Sequence, residues 1–167
     1  TKPSWLSFNA GSGVLSGTPN NSHVGTHSVT LKATDDNGAI DTQSFTITVN
    51  NVNDAPTITS TAVTSVNQGS SYSYTLAASD VDSGDNVSYS APTKPSWLNI
   101  NSSSGALTGT PSNADVGTRS IVLKATDTAG ATDTESFTIT VNNVNDAPTI
   151  TSTAVTSVNE DVAYSYT

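Results

Sequence analysis

The acidic residues of this chain stand mainly in loops between short β-favouring segments. One polar loop, Asp80 to Asn86, contains three carboxylates. Carboxylate, amide and backbone carbonyl oxygens are the ligands that hard cations such as calcium prefer. The chain has 14 acidic and 5 basic residues and a net charge of −9. This balance favours cation binding and argues against nucleic acid and anionic membrane surfaces as partners, because phosphate groups are bound by Lys and Arg.

Other kinds of site chemistry find little support in the sequence. The chain has no Cys, which excludes disulfides and thiolate metal sites. His23 and His27 are replaced by Asp115 and Arg119 at the equivalent positions 92 residues later, so the fold does not require them. No nucleophile-elbow motif is present. We therefore predict no catalytic residues and no enzyme activity.

An internal repeat with a period of 92 residues organises the chain. Residues 1–54 match residues 93–146 at 38 of 54 positions, and residues 55–75 match residues 147–167 at 17 of 21. A period of this length corresponds to one domain per repeat. The sequence therefore predicts the C-terminal part of one repeat at 1–54, a complete repeat at 55–146 and the N-terminal strands of the next at 147–167.

Within the complete repeat, apolar and polar residues alternate with the period of β-strands. Tyr72, Tyr74 and Leu76 are expected on one buried face. About seven short strands separated by turn signals indicate an all-β antiparallel sandwich. The predicted strands are Thr57–Thr61, Ser71–Leu76, Val87–Tyr89, Trp97–Ile100, Ala106–Thr110, Ser120–Ala125 and Glu135–Val141. Asp133 and Glu135 are interpreted as a solvated face.

A string of motifs in this repeat resembles the dystroglycan-type cadherin-like repeats, which overlap with immunoglobulin-like repeats of bacterial surface proteins. The motifs are Lys94 to Leu98, Ser104 to Pro111, Gly117, Ala125 to Asp127 with Gly130, and Phe137 to Val141. The resemblance covers the whole chain. It implies a Greek-key sandwich of seven strands, arranged in tandem in large extracellular or cell-surface proteins, with roles in adhesion or as spacers.

The same resemblance implies calcium sites at the junctions between repeats. The residues that match the cadherin ligand motifs are Asn53, Asp54, Asp80, Asp82, Asn86 and Asp127. The chain departs from the cadherin pattern in three places: the linker lacks one Asn before Ala55-Pro56, Gln68 replaces an early Glu, and no acidic residue lies near Asn20 to Gly25. We therefore expect one or two ions per junction at most. The alternative is that these residues are solvated turn formers.

Trp5 and Trp97 recur within the same Lys-Pro-Ser-Trp-Leu string. The repetition of the whole string favours a shared packing role in the core. The alternative is that each indole stacks on a sugar.

The leading hypothesis is a structural or adhesive module that stacks head to tail as a fibre or stalk and is stiffened by calcium. A rival hypothesis is a calcium-dependent carbohydrate-binding module that recognises polysaccharide. Neighbouring repeats of the same protein are the expected partners, and residues 147–167 of one molecule are expected to complete residues 1–54 of another. No apolar run reaches the roughly 18 residues needed to span a bilayer, so membrane insertion is not expected.

Overall fold

The computed structural model describes residues 1–167 and consists almost entirely of β-strands. Short strands alternate with polar turns, as the period-2 pattern predicts. The strands are β1 (Leu6–Asn9), β2 (Val14–Gly17), β3 (Gly25–Thr34), β4 (Ile40–Val49), β5 (Thr57–Ile58), β6 (Ser65–Asn67), β7 (Tyr72–Thr75), β8 (Ala78–Ser79), β9 (Ser88–Thr93), β10 (Leu98–Ile100), β11 (Ala106–Gly109), β12 (Gly117–Thr126) and β13 (Thr132–Asn142). Two 3₁₀ turns occupy Asn21–His23 and Asn113–Asp115.

Strands β5 to β13 form a β-sandwich. One sheet has the order β6-β13-β12-β9, the other has the order β10-β11-β7, and β5 pairs with β8. All neighbours are antiparallel except β6 and β13, which are parallel. The predicted antiparallel sandwich is confirmed. The structure adds β6 and β8, which are too short to show an alternating pattern, and it shortens the predicted Thr57–Thr61 strand to two residues.

The first segment of the complete repeat, residues 55–75, joins both sheets. Its strand β6 lies beside β13, with Val66 opposite Val141. Its strand β7 lies beside β11 in the other sheet, with Tyr74 opposite Leu107. This segment therefore closes one side of the sandwich and covers apolar residues of both sheets.

The core lies between these two sheets. Eight buried side chains form it: Tyr72, Tyr74, Leu76, Leu98, Leu107, Ile121, Leu123 and Ile139. The predicted inward face of Tyr72, Tyr74 and Leu76 is confirmed. Burial raises the pKa of the Tyr72 hydroxyl to about 12, with smaller contributions from Tyr74 and Glu135. The hydroxyl is satisfied because it donates to the Val63 carbonyl at 2.8 Å.

Trp97 is half-buried and packs against this core. Its ring meets Tyr72 edge to face, with the centroids 6.0 Å apart. Gly109 passes so close to the Trp97 carbonyl that a Cβ atom there would clash with backbone, which explains the Gly in the Thr-Gly-Thr-Pro string. The packing position favours the core interpretation of Trp97 over sugar stacking.

Residues 1–54 form strands β1 to β4 at positions 92 residues before β10 to β13. Strand β1 pairs only with β2, and β3 pairs only with β4. Leu6 and Val29 are buried, whereas Phe8 and Phe45 are exposed. At the other end, residues 147–167 form no strand and are exposed throughout. The apolar surface of β1 to β4 is therefore only partly covered.

Equivalent leucines in the two repeats should respond differently to truncation. Leu107 is fully buried and Leu15 is half-buried. We expect Leu107→Ala to lower the free energy of unfolding of the complete repeat by about 2–5 kcal/mol, through lost burial and a cavity. Leu15→Ala should cost less, because fewer contacts are lost. Urea unfolding at low protein concentration measures both. Equal costs would contradict the difference in packing.

The 3₁₀ turn at Asn113–Asp115 is closed by its own acidic residue. One Asp115 carboxylate oxygen accepts from the Ser112 hydroxyl at 2.6 Å and from the Ser112 N–H at 2.8 Å. These two bonds hold the pKa of Asp115 below its usual value, and the bond from the hydroxyl has the larger effect. In the preceding repeat, His23 takes the same position, and its Nδ1 accepts from the Asn20 N–H at 3.0 Å.

The lowered pKa of Asp115 gives a pH dependence of known sign. The carboxylate contributes stability above the pKa of an unfolded Asp, and this contribution is lost as pH falls through the lower folded value. The stability difference between the wild type and Asp115→Asn should therefore shrink in acid. NMR titration should also show that Ser112→Ala moves the Asp115 pKa up toward its usual value. An unchanged pKa in that variant would contradict the assigned cause.

Candidate metal centre at the repeat junction

Three segments converge where residues 1–54 meet the complete repeat. They are the linker before Pro56, the loop from Asp80 to Asn86, and the turn between β12 and β13 that begins at Asp127. Pro56 is buried, and β5 follows it at once. The linker is therefore fixed to the end of the sandwich that carries the acidic loops.

Asp82 anchors the linker backbone. The Asp82 side chain is only 6% exposed, and its Oδ2 accepts from the backbone N–H of Asp54 at 2.7 Å. The Asp82 N–H in turn donates to Asp80 Oδ1 at 2.9 Å. This turn places both carboxylates of the Asp-Val-Asp sequence on the junction side of the loop.

Asp127 anchors the linker through a side chain. Its Oδ2 accepts from the Asn53 amide at 2.8 Å, and its Oδ1 accepts from the N–H groups of Gly130 and Ala131 at 2.6 and 2.7 Å. The bond from Asn53, followed by the turn N–H groups, lowers the pKa of Asp127 despite its burial. Asp127 therefore stays ionised in the hydrogen-bonded network.

Three carboxylates come together at this point. Oxygens of Asp80, Asp85 and Asp127 all lie within 4.8 Å of one another. Like charges this close repel one another. A divalent cation would reverse the sign of that interaction, and carboxylate oxygens are its preferred ligands.

Two carboxylate oxygens of the loop from Asp80 to Asn86 are buried without any hydrogen-bond partner. They are Asp80 Oδ2 and Asp82 Oδ1. A buried carboxylate oxygen that lacks a partner is costly, and a bound cation would satisfy it. The chemistry of this donor set fits a hard cation, which would be held by Asp80, Asp85 and Asp127, with the unpartnered oxygen of Asp82 as a further donor from the same loop.

The structure brings most of the six sequence-predicted ligands into one network and separates two of them from its centre. Asn53, Asp80, Asp82 and Asp127 are connected by the bonds described above. Asp54 joins through its backbone, while its side chain faces the preceding repeat. Asn86 is exposed, and its backbone N–H donates to Thr128 Oγ1 at 3.3 Å.

Two residues of this site are not among the ligands predicted from the sequence. Asp85 enters the carboxylate cluster because the loop turns at Gly84, which has a positive φ of 94°. The sequence shows that the loop has a third carboxylate, but it does not show that this side chain points toward Asp80 and Asp127. Asn21 donates from its amide to Asp54 Oδ2 at 2.6 Å. The region from Asn20 to Gly25 has no acidic residue, and an amide makes the contact instead.

Asp133 and Glu135 are half-buried, which corrects their interpretation as a solvated face. Asp133 Oδ2 accepts from the Ile58 N–H at 2.8 Å, and Glu135 Oε2 accepts from the Tyr74 hydroxyl at 3.4 Å. Both carboxylates thus attach the first segment of the repeat to β13. The alternation along β13 predicted their side of the strand but not the segment that covers it.

One protein family matches most of the chain. Residues 1–50 and 55–142 match the family described as "Putative Ig domain". The chain belongs to this Ig-domain family. The two matches correspond to the two copies of the strand pattern. Domains of this kind are typically non-enzymatic and extracellular.

Solved structures support a cadherin-like sandwich for this Ig-domain chain. Human CDH23 EC21-23 is similar with a TM-score of 0.59 and 20% identity, over 83% of this chain and 50% of that one. Extracellular cadherin domains 3-6 of protocadherin gamma B2 give 0.58 and 18%, over 84% and 40%. The chain thus spans half or less of these proteins, and the likeness concerns the fold.

The endo-fucoidan hydrolase MfFcnA4 from glycoside hydrolase family 107 is 27% identical over 87% of this chain and 23% of that chain, with a TM-score of 0.49. Among curated proteins, none matches the chain. No helix in the structure has the length and apolar character needed to cross a membrane.

The carboxylate cluster predicts an unusual effect of a neutral substitution. In the presence of EDTA, Asp85→Asn should raise the free energy of unfolding by up to about 1 kcal/mol, because it removes like-charge repulsion near the surface. With millimolar calcium, the same variant should be less stable than the wild type, because a ligand is lost. Thermal melts under both conditions measure this reversal. If Asp85→Asn changes the free energy of unfolding by the same amount in EDTA and in calcium, Asp85 is a solvated turn residue.

Proposed function

We propose that this chain is a structural, adhesive repeat of an extracellular or cell-surface protein whose repeat junction is stiffened by calcium. Two observations carry the proposal: the cluster of Asp80, Asp85 and Asp127, and the buried carboxylate oxygens without partners, Asp80 Oδ2 and Asp82 Oδ1, on the loop that contributes to it. A cation at this place offsets both the repulsion and the missing hydrogen bonds.

The position of the cluster connects cation binding to mechanics. Asn53 and Asp54 are hydrogen-bonded to Asp127 and Asp82 of the complete repeat, and Asp54 also accepts from Asn21 of the preceding one. An ion that holds Asp82 and Asp127 in place therefore also holds the linker that is hydrogen-bonded to them. The linker in turn holds the preceding repeat through the bond between Asp54 and Asn21. Calcium would restrict the angle between the two repeats by ordering this chain of contacts.

Calcium is favoured over magnesium by the form of the site. The oxygens come from a flexible Gly-containing loop and a turn, and calcium accepts irregular shells of six to eight oxygens, whereas magnesium demands near-octahedral geometry. The network also contains the Asn53 side chain, whose amide oxygen would face the ion after rotation of the amide group. The main ligands of the proposed site are Asp80, Asp82, Asp85 and Asp127. The surrounding network contains Asn53, Asp54 and Asn86.

Tandem repeats joined by stiff junctions form extended rods. This geometry suits a stalk, fibre or spacer that holds an adhesive end away from a surface. The neighbouring repeats of the same protein are then the first partners of each repeat. The net charge of −9 limits non-specific association between such rods.

Calcium titration tests the proposal. Extracellular modules of this type bind calcium with a Kd of about 10⁻⁴–10⁻³ M, so the titration must reach about 10 mM. At a concentration tenfold above Kd, calcium should stabilise the protein by about 1.4 kcal/mol. Calorimetry and thermal melts should both show the effect, and small-angle scattering should show a narrower spread of overall lengths.

The double variant Asp80→Asn/Asp82→Asn should remove these effects. A matched control is Asp36→Asn/Asp41→Asn, which changes the net charge equally at exposed positions outside the junction; it should keep the calcium response. No calcium binding by the wild type at 10 mM would overturn the proposed site. A response that survives the double variant would place the ion elsewhere.

A further inference from the structure

One asparagine of the chain is followed directly by a glycine. Asn37 and Gly38 lie in the turn between β3 and β4, and every other Asn precedes a different residue type. The backbone nitrogen that follows an Asn can attack the carbonyl carbon of its side-chain amide. Glycine leaves this approach most open, because it has no Cβ atom and adopts the widest range of backbone angles. The Asn-Gly pair therefore places a nucleophile beside an electrophilic carbon.

The Asn37 side chain is not restrained by other groups. It is exposed and makes no hydrogen bond, and only the backbone N–H of Asn37 is bound, to Asp35 Oδ1 at 3.0 Å. Asn101 lies in another exposed turn, but its Oδ1 accepts from the N–H groups of Ser103 and Ser104, each at 3.0 Å. Ring closure at Asn101 would break two hydrogen bonds, whereas the Asn37 amide has none to lose.

Gly38 is also free to turn toward this side chain. It has a φ of 86°, and a Cβ atom there would meet no other atom within 4 Å, so the space beside the backbone is open. The Gly38 N–H donates to the Asp35 carbonyl at 3.0 Å. Rotation of the peptide between Asn37 and Gly38 therefore breaks one neutral hydrogen bond, and the net loss is small because water replaces the partner.

The turn after β12 in the complete repeat has the same form, with its surrounding segments in place. Asp127 closes it as Asp35 closes the turn at Asn37, by accepting backbone N–H groups through Oδ1. Ala129, which occupies the position of Asn37, is exposed there. Exposure of Asn37 is therefore a property of the hairpin itself. The complete repeat has the turn without the reactive amide.

We propose that Asn37 is a site of spontaneous deamidation in the folded protein. The Gly38 nitrogen loses its proton and attacks Cγ of Asn37. A bond forms between this nitrogen and Cγ, the bond from Cγ to Nδ2 breaks, and Nδ2 leaves with the proton as ammonia. Water then opens the cyclic imide at either carbonyl, which gives aspartate or isoaspartate at position 37. The reaction consumes only water and needs no enzyme or oxidant.

Both products alter the turn. A carboxylate at position 37 adds a third negative charge beside Asp35 and Asp36, and like charges this close repel one another. Isoaspartate also inserts a methylene group into the backbone, so the two N–H groups that Asp35 Oδ1 binds no longer keep their spacing. The hairpin of β3 and β4 should lose order as the protein ages, whereas that of β12 and β13 should not. Hydrogen exchange in the two hairpins measures this difference.

Peptide mapping by mass spectrometry on the 167-residue chain tests the proposal. The folded protein is kept at mildly alkaline pH, because the attacking nitrogen must lose its proton, and in EDTA, which separates the result from the proposed metal site. The peptide that contains Asn37 should shift by the mass difference between an amide and an acid, and isoaspartyl methyltransferase should label it. The peptide that contains Asn101 should stay unchanged over the same time. Asn37→Ala, which copies Ala129, should remove the label from the chain.

A second variant shows whether the turn controls the reaction. Ala129→Asn places an amide beside Gly130, whose N–H is bound by the Asp127 carboxylate at 2.6 Å. Because a charge-assisted bond holds that nitrogen more strongly, this variant should convert more slowly at position 129 than the wild type does at position 37. Conversion of Asn37 in urea but not in the folded protein would overturn the proposal, and so would equal conversion at Asn101.

Discussion

The double pairing of residues 55–75 is the constraint on which the rest of this structure depends. The segment pairs with β13 in one sheet and with β11 in the other. Because an apolar sheet face must be covered and its edges paired, a single segment that does both closes the sandwich. The bond from Ile58 to Asp133 and the bond from Tyr74 to Glu135 hold this segment in place.

Closure of the sandwich also positions the repeat junction. Pro56 is buried at the start of the covering segment, so Asn53 and Asp54 leave the fold beside Asp82 and Asp127. Their amide and N–H groups partly compensate the buried carboxylates. The two oxygens that stay without partners are those for which a cation is the natural complement. The proposed cation binding would therefore be connected with folding through one short stretch of chain.

The two copies of the repeat show which features the fold requires. The turn before β3 and the turn before β12 are both closed by an acceptor three residues on, yet His23 serves in one and Asp115 in the other. The Trp-Leu turn keeps a Gly at the same offset in both, because backbone approaches backbone there. Packing and hydrogen-bond geometry thus restrict these positions more tightly than charge does.

The sequence by itself determined the period, the β class and the inward faces. Alternation is a local property, so Tyr72, Tyr74 and Leu76 were assigned correctly from their spacing, and repetition revealed the equivalent strands. The resemblance to cadherin ligand motifs added Asp80, Asp82 and Asp127 as metal ligands, and that assignment stays a prediction. Only the tertiary structure decided that Asp85 rather than Asn86 completes the carboxylate cluster, that Asn21 contacts Asp54, and that Asp133 binds Ile58. Those contacts join residues far apart in the chain or depend on the direction of a loop at Gly84, and neither the distance nor the direction is encoded in the pattern of neighbouring residues.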